Sequence, residues 1–289
     1  MKIKEVVLSV CMITYGHEEF IAEAIISILE QKTDFEIELI VANDCSPDRT
    51  ESVINSIIQT HPNGYKVRYT KHPQNLGVMR NFQWALGQCK GRYIAVCEGD
   101  DYWTDKQKLQ KQVDFLERNP DQAFCYHYSK ILDFDGSFKH RDRNNEARFI
   151  PADKVISTYI QLVTLVFRNQ LKDFVDIDFG SLFSGDVALR AHLSMLGPGT
   201  LLPFEGAVYR KHVNGVRSGM GLVENYNRWI DSRIIILDKI HGISKRDLYE
   251  SIINIQKLKI TYFIKSMQLK AAIKSYVKLV NFQMKKYFP

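Results

Sequence analysis

The chain has 289 residues, of which 45% are hydrophobic and 25% are charged, and its formal net charge is +6. This is the composition of a soluble folded protein, and the length allows one large core or a core with a smaller appendage. No apolar run reaches membrane-spanning length, and the segment from Met1 to Ser9 is too short and too charged for a signal peptide, so we expect a cytoplasmic protein.

The first hundred residues alternate between strand patterns and helix patterns. The strand-forming runs are Val6–Ile13, Glu36–Ala42, Lys66–Lys71 and Tyr93–Cys97. Amphipathic helical stripes separate these runs. Because each helical crossover returns the chain in the same direction, the alternation predicts an α/β fold with a mostly parallel central sheet flanked by helices. Ser46 is expected to cap the second helix, with Pro47 at its first position.

Helix and strand patterns continue beyond residue 105, but less regularly. They predict, in chain order, a helix at Lys106–Arg118, a strand at Ala123–Ser129, a hairpin around Asp135–Gly136, a helix that starts near Ser184-Gly185-Asp186 and an apolar stretch at Leu201–Tyr209. From Leu222 onward the pattern is helical and rich in Ile and Lys. We therefore divide the chain into residues 1–105, residues 106–221 and a C-terminal helical extension at residues 222–289.

Three carboxylates follow the fourth predicted strand in close succession. Glu98, Asp100 and Asp101 repel one another unless a positive charge lies between them. Hard oxygen ligands at a strand end favour Mg²⁺ or Mn²⁺, typically with a phosphate completing the coordination shell. A solvated acidic turn is the alternative interpretation.

Polar residues follow three of the four predicted strands. Thr14 and Tyr15 come after the first strand, Asp44 after the second, and Asp100 and Asp101 after the fourth. Ligands of open parallel sheets bind at the carboxyl ends of the strands, so we expect these side chains to converge on one edge. The motifs Gly-x-Gly-x-x-Gly and Gly-x-x-x-x-Gly-Lys-Ser/Thr are absent, which argues against a dinucleotide dehydrogenase and against a P-loop nucleotidase.

These segments together resemble glycosyltransferase family 2, bacterial nucleotide-sugar-dependent enzymes of the GT-A fold. The similarity covers roughly residues 5 to 220 and depends on the order and spacing of four motifs. The motifs are Val10-Cys11-Met12-Ile13-Thr14-Tyr15-Gly16, Ala42-Asn43-Asp44-Cys45-Ser46, Asn75-Leu76-Gly77 with Arg80-Asn81, and Glu98-Gly99-Asp100-Asp101. Ile13 and Gly16 depart from the Pro and Asn that the family usually has at these positions.

The resemblance implies that residues 1–105 form the nucleotide-sugar-binding half of one GT-A domain and that residues 106–221 form its acceptor-binding and catalytic-base half. Tyr15 and Asp44, together with Thr14, would hold the nucleobase, with Asp44 accepting the imide N–H of a uracil or the amide-like edge of another base. Asp100 would lie near the ribose, and Arg80 would lie against the diphosphate. Packing beneath the sheet edge for Tyr15, an Asx turn for Asp44 and a solvated position for Arg80 are the alternative interpretations.

The resemblance also implies a metal site and a catalytic base. Asp101 and His212 would bind the divalent cation, Mn²⁺ or Mg²⁺, that bridges the two phosphates. Asp186, in Gly185-Asp186, would take the proton from the acceptor hydroxyl in an inverting transfer. Trp103 would stack on a sugar or form a wall of the donor pocket. The alternatives are a helix cap for Asp186, a surface position for His212 and a loop anchor for Trp103.

The function implied by the resemblance is transfer of a sugar from a nucleoside diphosphate sugar, UDP-linked, to a saccharide acceptor in bacterial surface polysaccharide synthesis. In this family the acceptor is commonly lipid-linked. A sugar-phosphate nucleotidyltransferase and a non-catalytic nucleotide-sugar-binding homologue are the alternatives. The Gly-rich phosphate loop of nucleotidyltransferases is missing after the first strand, and the retained carboxylates argue against a non-catalytic homologue.

The C-terminal extension is strongly basic. From Ser251 to Pro289 it has eight lysines and no Asp or Glu. Its helical stripes predict packing on the catalytic domain or on a second subunit of a homo-oligomer, or contact with an anionic membrane surface at the inner face of the cell membrane. Nucleic acid is not an expected partner, because the aromatic and glycine patterns of single-strand-binding modules are missing.

Overall fold

The computed structural model describes residues 5–140, 146–178, 182–183, 185–213, 215 and 221–287. Within these residues, ten strands form one sheet. The strands are β1 Val6–Thr14, β2 Glu36–Asn43, β3 Val67–Lys71, β4 Tyr93–Val96, β5 Tyr102–Trp103, β6 Phe124–Leu132, β7 Phe138–His140, β8 Arg148–Ile150, β9 Val166–Arg168 and β10 Gly199–Arg210. Their order is β3-β2-β1-β4-β9-β6-β10-β5, with β7 paired to β6 and β8 paired to β10.

The strand directions confirm the predicted α/β fold with a mostly parallel sheet. Strands β3, β2, β1, β4, β6 and β10 all run the same way. The other four strands are antiparallel to them, and each has three residues or fewer. Strand β9 was not predicted, and it lies between β4 and β6, where it joins the two parallel halves of the sheet.

Helices cover both faces of this sheet. They are α1 Ile21–Leu29, α2 Thr50–Thr60, α3 Val78–Gly87, α4 Lys108–Arg118, α5 Lys172–Val175, α6 Gly185–Leu196, α7 Leu222–Lys239, α8 Lys245–Lys265 and α9 Leu269–Tyr287. Side chains alternate along β1, so Val10 and Met12 join a buried cluster with α1, α2 and α4, whereas Cys11 and Ile13 join a cluster with α3 and α6. Because both faces are covered, β1 is apolar from Val6 to Ile13 except at Ser9, rather than alternating between apolar and polar residues.

The C-terminal helices pack on the rest of the chain. Ile236, Ile240 and Leu248 belong to the same buried cluster as α3 and α6. The carboxylate of Asp247 on α8 accepts the backbone N–H groups of Ile156 and Ser157, at 2.7 and 3.1 Å. Helix α9 contacts α8. In the part of the chain that the structure describes, no helix combines the length and apolar content needed to cross a bilayer.

The predicted cap of the second helix is wrong. Helix α2 begins at Thr50, and the Ser46 hydroxyl instead donates to Asn43 Oδ1 at 2.6 Å and accepts the Gly16 N–H at 3.0 Å. Asn43 ends β2 and organises the turn that follows, so Ser46 belongs to that turn rather than to the helix. Asp48 bonds the helix start, because its Oδ1 accepts the Thr50 N–H at 3.1 Å.

Candidate active site

A cavity lies at the carboxyl ends of the parallel strands. Its volume is ≈ 690 Å³, and its lining residues come from β1, α3, the loop after β4, β6, α6, the end of β10 and α7. Four of the predicted site residues line it, namely Asp100, Asp101, Asp186 and His212. Residues separated by more than a hundred positions in the sequence therefore meet at one sheet edge. Of the residues for which the strand pattern predicted this convergence, Asp100 and Asp101 line the cavity.

The acidic loop after β4 is tied to the end of β1. Cys97 donates its N–H to the Cys11 carbonyl at 3.1 Å, and Gly99 donates to the Ile13 carbonyl at 3.0 Å. A Cβ at Gly99 would lie 2.7 Å from Thr14 Oγ1, so only glycine allows this close approach. The glycine between Glu98 and Asp100 is thus a packing requirement of the loop.

Asp100 lies at the centre of the acidic loop and faces two histidines. Its Oδ2 is 2.9 Å from His212 Nε2 and 3.9 Å from His17 Nε2. Burial alone would raise the pKa of Asp100, but the His212 hydrogen bond and the two imidazoles outweigh burial and lower the pKa below its usual value. Asp100 is therefore ionised at neutral pH.

Asp101 has the opposite electrostatic environment. It is 1% exposed, and its Oδ1 accepts the Arg210 backbone N–H at 2.8 Å. Burial, followed by the charges of Asp100 and Glu98, raises the pKa of Asp101 well above its usual value. A divalent cation at this loop would favour the ionised form of both aspartates.

Arg210, at the end of β10, fixes the acidic loop from the second half of the sheet. Its Nη1 donates to the Asp100 carbonyl at 2.6 Å, and its Nη2 is 2.5 Å from Glu23 Oε2 on α1. The guanidinium carbon lies 4.7 Å from the ring centroid of Phe20 and 5.0 Å from that of Tyr102. Sequence analysis did not assign Arg210, and its position depends on contacts with distant segments.

His17 is a second residue that sequence analysis missed. Its Nδ1 is 3.2 Å from Thr14 Oγ1, and its backbone N–H donates to Thr50 Oγ1 at 2.9 Å. Burial, only partly opposed by Asp100, lowers the pKa of His17, so its imidazole is neutral near pH 7. The signal was present, because His17 follows the carboxyl end of β1 closely and is subject to the same reasoning as Thr14.

Among the described residues, two sets of side chains could hold a divalent cation, and they share Asp100. One set is His17, Asp100 and His212, and the other is Glu98, Asp100 and Asp101. In each set the ligand atoms lie within 4.8 Å of one another. The predicted metal ligands Asp101 and His212 thus fall one into each set. Nitrogen donors suit Mn²⁺ and other transition metals, whereas an all-oxygen set suits Mg²⁺ equally well.

Asp186 lies in the first turn of α6 and lines the cavity. Its Oδ2 is 3.6 Å from Nη2 of Arg190, one helical turn further on. Arg190 is itself held by the carbonyls of Ile156 and Thr158. The start of α6 lies close to α3, since a Cβ at Gly185 would be 3.2 Å from the Phe82 ring. This packing brings Asp186 to the same cavity as the acidic loop.

Thr14, Tyr15 and Asp44 lie beside the cavity rather than among its lining residues. The Asp44 N–H donates to the Thr14 carbonyl at 2.9 Å, and the Asp44 carboxylate accepts the N–H groups of Leu76 and Gly77 at 2.7 and 3.0 Å. Asp44 therefore fixes the loop that leads to Val78, a lining residue. Tyr15 is 49% exposed, and Thr14 is buried. Nucleobase contact by these residues stays a prediction.

Arg80 and Trp103 do not line this cavity in the described structure. Arg80 borders a separate groove of ≈ 400 Å³ with Gln83, Trp84 and other residues. Trp103 is 4% exposed, its Nε1 donates to the Val163 carbonyl at 2.9 Å, and its ring packs against Lys108. These contacts match the loop anchor that was the alternative for Trp103, and donor contact by either residue stays a prediction.

Comparison with known proteins identifies similar sequences. The profile described as Glycosyl transferase family 2 matches residues 9–183. An uncharacterised protein of Mycobacterium tuberculosis is 34% identical over 218 residues, which cover 72% of this chain and 60% of that protein. The putative teichuronic acid biosynthesis glycosyltransferase TuaG of Bacillus subtilis is 31% identical over 131 residues, which cover 45% of this chain and 49% of TuaG. The chain therefore spans 60% of the length of the M. tuberculosis protein and 49% of the length of TuaG.

Solved structures share the fold. S. aureus TarS 1–349 in complex with UDP-GlcNAc matches with a TM-score of 0.69 at 19% identity, over 96% of this chain and 81% of that one. The mannosyltransferase PcManGT of Pyrobaculum calidifontis, in complex with GDP-Man and Mn²⁺, matches with a TM-score of 0.61 at 14% identity, over 97% and 76% of the two chains. These similarities confirm the GT-A fold.

Proposed function

Because the chain belongs to glycosyl transferase family 2, we propose that it transfers a sugar from a nucleoside diphosphate sugar, UDP-linked, to a saccharide acceptor with inversion of the anomeric carbon. The product would be a bacterial surface polysaccharide, as the name of its relative TuaG suggests. The observation that carries the proposal is the meeting of Asp100, Asp101, Asp186 and His212 around one cavity at the sheet edge. A divalent cation that binds together with substrate phosphates is usually held by one or two carboxylates, which this cavity supplies.

The donor would bind along the first half of the sheet. Tyr15 follows the end of β1 and is exposed, so a nucleobase could stack on it, whereas Thr14 and Asp44 are buried and joined by a backbone hydrogen bond. Each Asp44 oxygen accepts one backbone N–H and keeps a lone pair that could accept the imide N–H of uracil. The ribose and diphosphate would then extend toward Asp100, with Arg80 approaching the diphosphate from α3.

A divalent cation, Mn²⁺ or Mg²⁺, would complete the site. The donor set fits such an ion, because the ionised Asp100 lies in both ligand sets, with His212 and the neutral His17 on one side and Asp101 and Glu98 on the other. When bound, the ion would neutralise the charge that develops on the departing diphosphate. Arg210 holds the loop in place through the Asp100 carbonyl and the Asp101 carboxylate, so the ligands keep their spacing.

Asp186 would act as the base. The acceptor hydroxyl oxygen attacks the anomeric carbon, the bond from that carbon to the diphosphate oxygen breaks with its electron pair, and Asp186 takes the hydroxyl proton. Arg190 Nη2 lies 3.6 Å from Asp186 Oδ2, and this ion pair limits the motion of the carboxylate. A base in the first turn of a rigid helix can hold the geometry that an in-line attack requires.

The C-terminal helix α9 would bring the enzyme to an anionic membrane surface at the inner face of the cell membrane. Its exposed apolar side chains recur at helical spacing and form an apolar stripe. The apolar stripe consists of Leu269, Ile273, Tyr276, Val277, Val280, Met284 and Tyr287. Lysines 270, 274, 278 and 285 follow one edge of the stripe, and α9 has no acidic residue. A basic helix with an exposed apolar face has the composition of a surface-binding membrane helix.

The proposal is tested by donor hydrolysis and transfer. The purified chain is incubated with UDP-, GDP- and TDP-linked sugars and Mn²⁺, and release of the nucleoside diphosphate is measured. Asp100→Asn and Asp186→Asn should each reduce turnover at least 100-fold, whereas Asp238→Asn, an exposed aspartate on α7, should not. Full turnover by both site variants would refute the assignment, and pyrophosphate release from a nucleoside triphosphate would indicate a nucleotidyltransferase instead.

A further inference from the structure

One part of the cavity lining is aromatic and comes entirely from residues 106–221 and the C-terminal helices. It consists of Phe134 in the turn between β6 and β7, Tyr159, Phe183 and Trp229 on α7, which we call the aromatic wall. Phe134 is 58% exposed and Tyr159 is 47% exposed. Large apolar side chains exposed at the mouth of an acidic cavity indicate that a ligand with apolar faces packs against them.

The aromatic wall and the predicted donor site lie on different sides of the acidic loop. In the sheet order β1-β4-β9-β6-β10, the loop after β4 lies between the end of β1, where the nucleotide is expected, and the end of β6, which leads to Phe134. Asp186 lines the same cavity. A molecule against the aromatic wall would thus approach the reacting centre from the side opposite the nucleotide, which is the direction that in-line attack requires.

Gln161 adds a polar group to this part of the cavity. It lines the cavity, is 9% exposed, and accepts a hydrogen bond from the Ser129 hydroxyl through its Oε1. Its Nε2 is buried and has no hydrogen-bond partner among the described residues. A buried donor without an acceptor is costly, and a ligand oxygen would satisfy it.

Helix α7 completes this region, so the C-terminal helices contribute to the site. Leu222, Asn225 and Trp229 of α7 all line the cavity, and Arg228 stacks on the Phe183 ring at 5.2 Å. Ile236, near the end of the same helix, is buried in the core with α3 and α6. Helix α7 is therefore held rigidly at the cavity by core packing.

We propose that the aromatic wall and Gln161 form the subsite for the glycosyl unit of the acceptor. The apolar C–H face of a pyranose ring would pack on Tyr159 and Trp229, and a ring hydroxyl oxygen would accept the hydrogen bond from Gln161 Nε2. This inference rests on the proposed function, because it assigns the acceptor of that same reaction to named residues.

The first test separates acceptor kinetics from donor kinetics. The probes are the octyl β-glycosides of glucose, galactose and N-acetylglucosamine, used with the best donor from the hydrolysis panel. Tyr159→Ala should raise the acceptor KM about tenfold and leave the donor KM and the acceptor-free hydrolysis rate within twofold. Gln161→Glu keeps an oxygen for Ser129 but removes the Nε2 donor, and should also raise the acceptor KM. Tyr65→Ala, at a tyrosine that is 75% exposed and does not line the cavity, is the matched control.

The second test uses tryptophan fluorescence, which needs no turnover. The chain has three tryptophans. Trp103 is buried and Trp84 lines the other groove, so titration with the glycosides should change the emission of Trp229, and Trp229→Phe should abolish the change. The acceptor subsite would be overturned if Tyr159→Ala leaves the acceptor KM unchanged, or if it raises the donor KM instead. It would also be overturned if no glycoside changes the fluorescence of the wild type. Failure of the wild type to hydrolyse any nucleotide sugar would instead overturn the proposed function.

Discussion

Lys108 is completely buried, and replacing it should stabilise the protein. Its side chain lies in the first turn of α4, its Nζ has no hydrogen-bond partner among the described residues, and it lies 4.1 Å from the centroid of the Trp103 ring. Burial lowers the pKa of Lys108 from 10.5 to about 7. At 1.36 kcal/mol per pKa unit, this difference corresponds to a penalty of about 5 kcal/mol for the charged form. A desolvated cation over a Trp ring recovers about 2 kcal/mol, which leaves a net cost of about 3 kcal/mol.

The cost depends on pH in a defined direction. Below pH 7 Lys108 is charged in both the folded and the unfolded chain, so the full cost applies. Between about pH 7 and 10.5 the unfolded chain binds the additional proton, so the free energy of unfolding rises with pH and the cost disappears. Met has a similar length and an apolar tip, so Lys108→Met should increase the free energy of unfolding by about 3 kcal/mol at pH 7 and by much less near pH 10.

Urea denaturation followed by circular dichroism at pH 7 and at pH 10 measures this difference directly. Lys111→Met is the matched control, because Lys111 is on the same helix but is exposed and paired with Asp105. The control should change stability by less than about 1 kcal/mol and show no comparable dependence on pH. The reasoning about Lys108 is refuted if its Met variant is no more stable than the wild type at pH 7, or if its gain is the same at both pH values.

Three further predictions concern the metal, the acidic loop and the membrane. His17→Ala should weaken Mn²⁺ binding at least tenfold in isothermal titration of the protein alone, and it should weaken Mg²⁺ binding less. The control His241→Ala, at an exposed histidine, should leave the affinity for both ions unchanged. Equal affinities in the two variants would exclude His17 as a ligand. Gly99→Ala should lower the free energy of unfolding by about 1–3 kcal/mol and reduce turnover, because its Cβ has no room; wild-type stability would show that the loop can relax. The double variant Ile273→Glu/Val277→Glu should no longer sediment with phosphatidylglycerol vesicles, but its turnover of soluble substrates should be unchanged. If light scattering instead shows that the wild type is a dimer and the variant a monomer, the apolar stripe is a subunit interface.

The sheet and its functional edge could be predicted from the sequence because both depend on local patterns. The runs that became β1, β2 and β4 are mostly apolar, and Asp44 and Asp100 come within four residues of the ends of β2 and β4. Strand β9 was missed because its three residues give no period, and only its neighbours β4 and β6 make it a strand. Ser46 was misassigned because its hydroxyl bonds the Asn43 side chain instead of capping the helix. The residue types alone do not decide between these two hydrogen bonds.

The residues that sequence analysis missed share one property, namely that distant contacts determine their roles. Arg210 reads as one basic residue among several, yet it bonds Glu23, 187 positions earlier, and the loop that contains Asp100, 110 positions earlier. Gln161 lies in a region without clear periodicity, and its place in the cavity follows from the packing of β6 and the loop before β9. Trp103 is the opposite case. Its position beside the acidic motif suggested contact with a ligand, but its ring packs over the buried Lys108.

Contacts at the end of β10 connect the donor half of the domain, residues 1–105, with the acceptor half, residues 106–221. His212 bonds the Asp100 carboxylate, and the Arg210 backbone bonds Asp101, so two residues of the second half set the charge and position of the acidic loop in the first half. The same strand continues parallel to β6, which leads to the aromatic wall. A displacement of β10 would therefore disturb the proposed metal ligands and the proposed acceptor subsite together. Substitutions at Arg210 should consequently impair donor and acceptor kinetics in parallel, unlike Tyr159→Ala, whose effect should be confined to the acceptor.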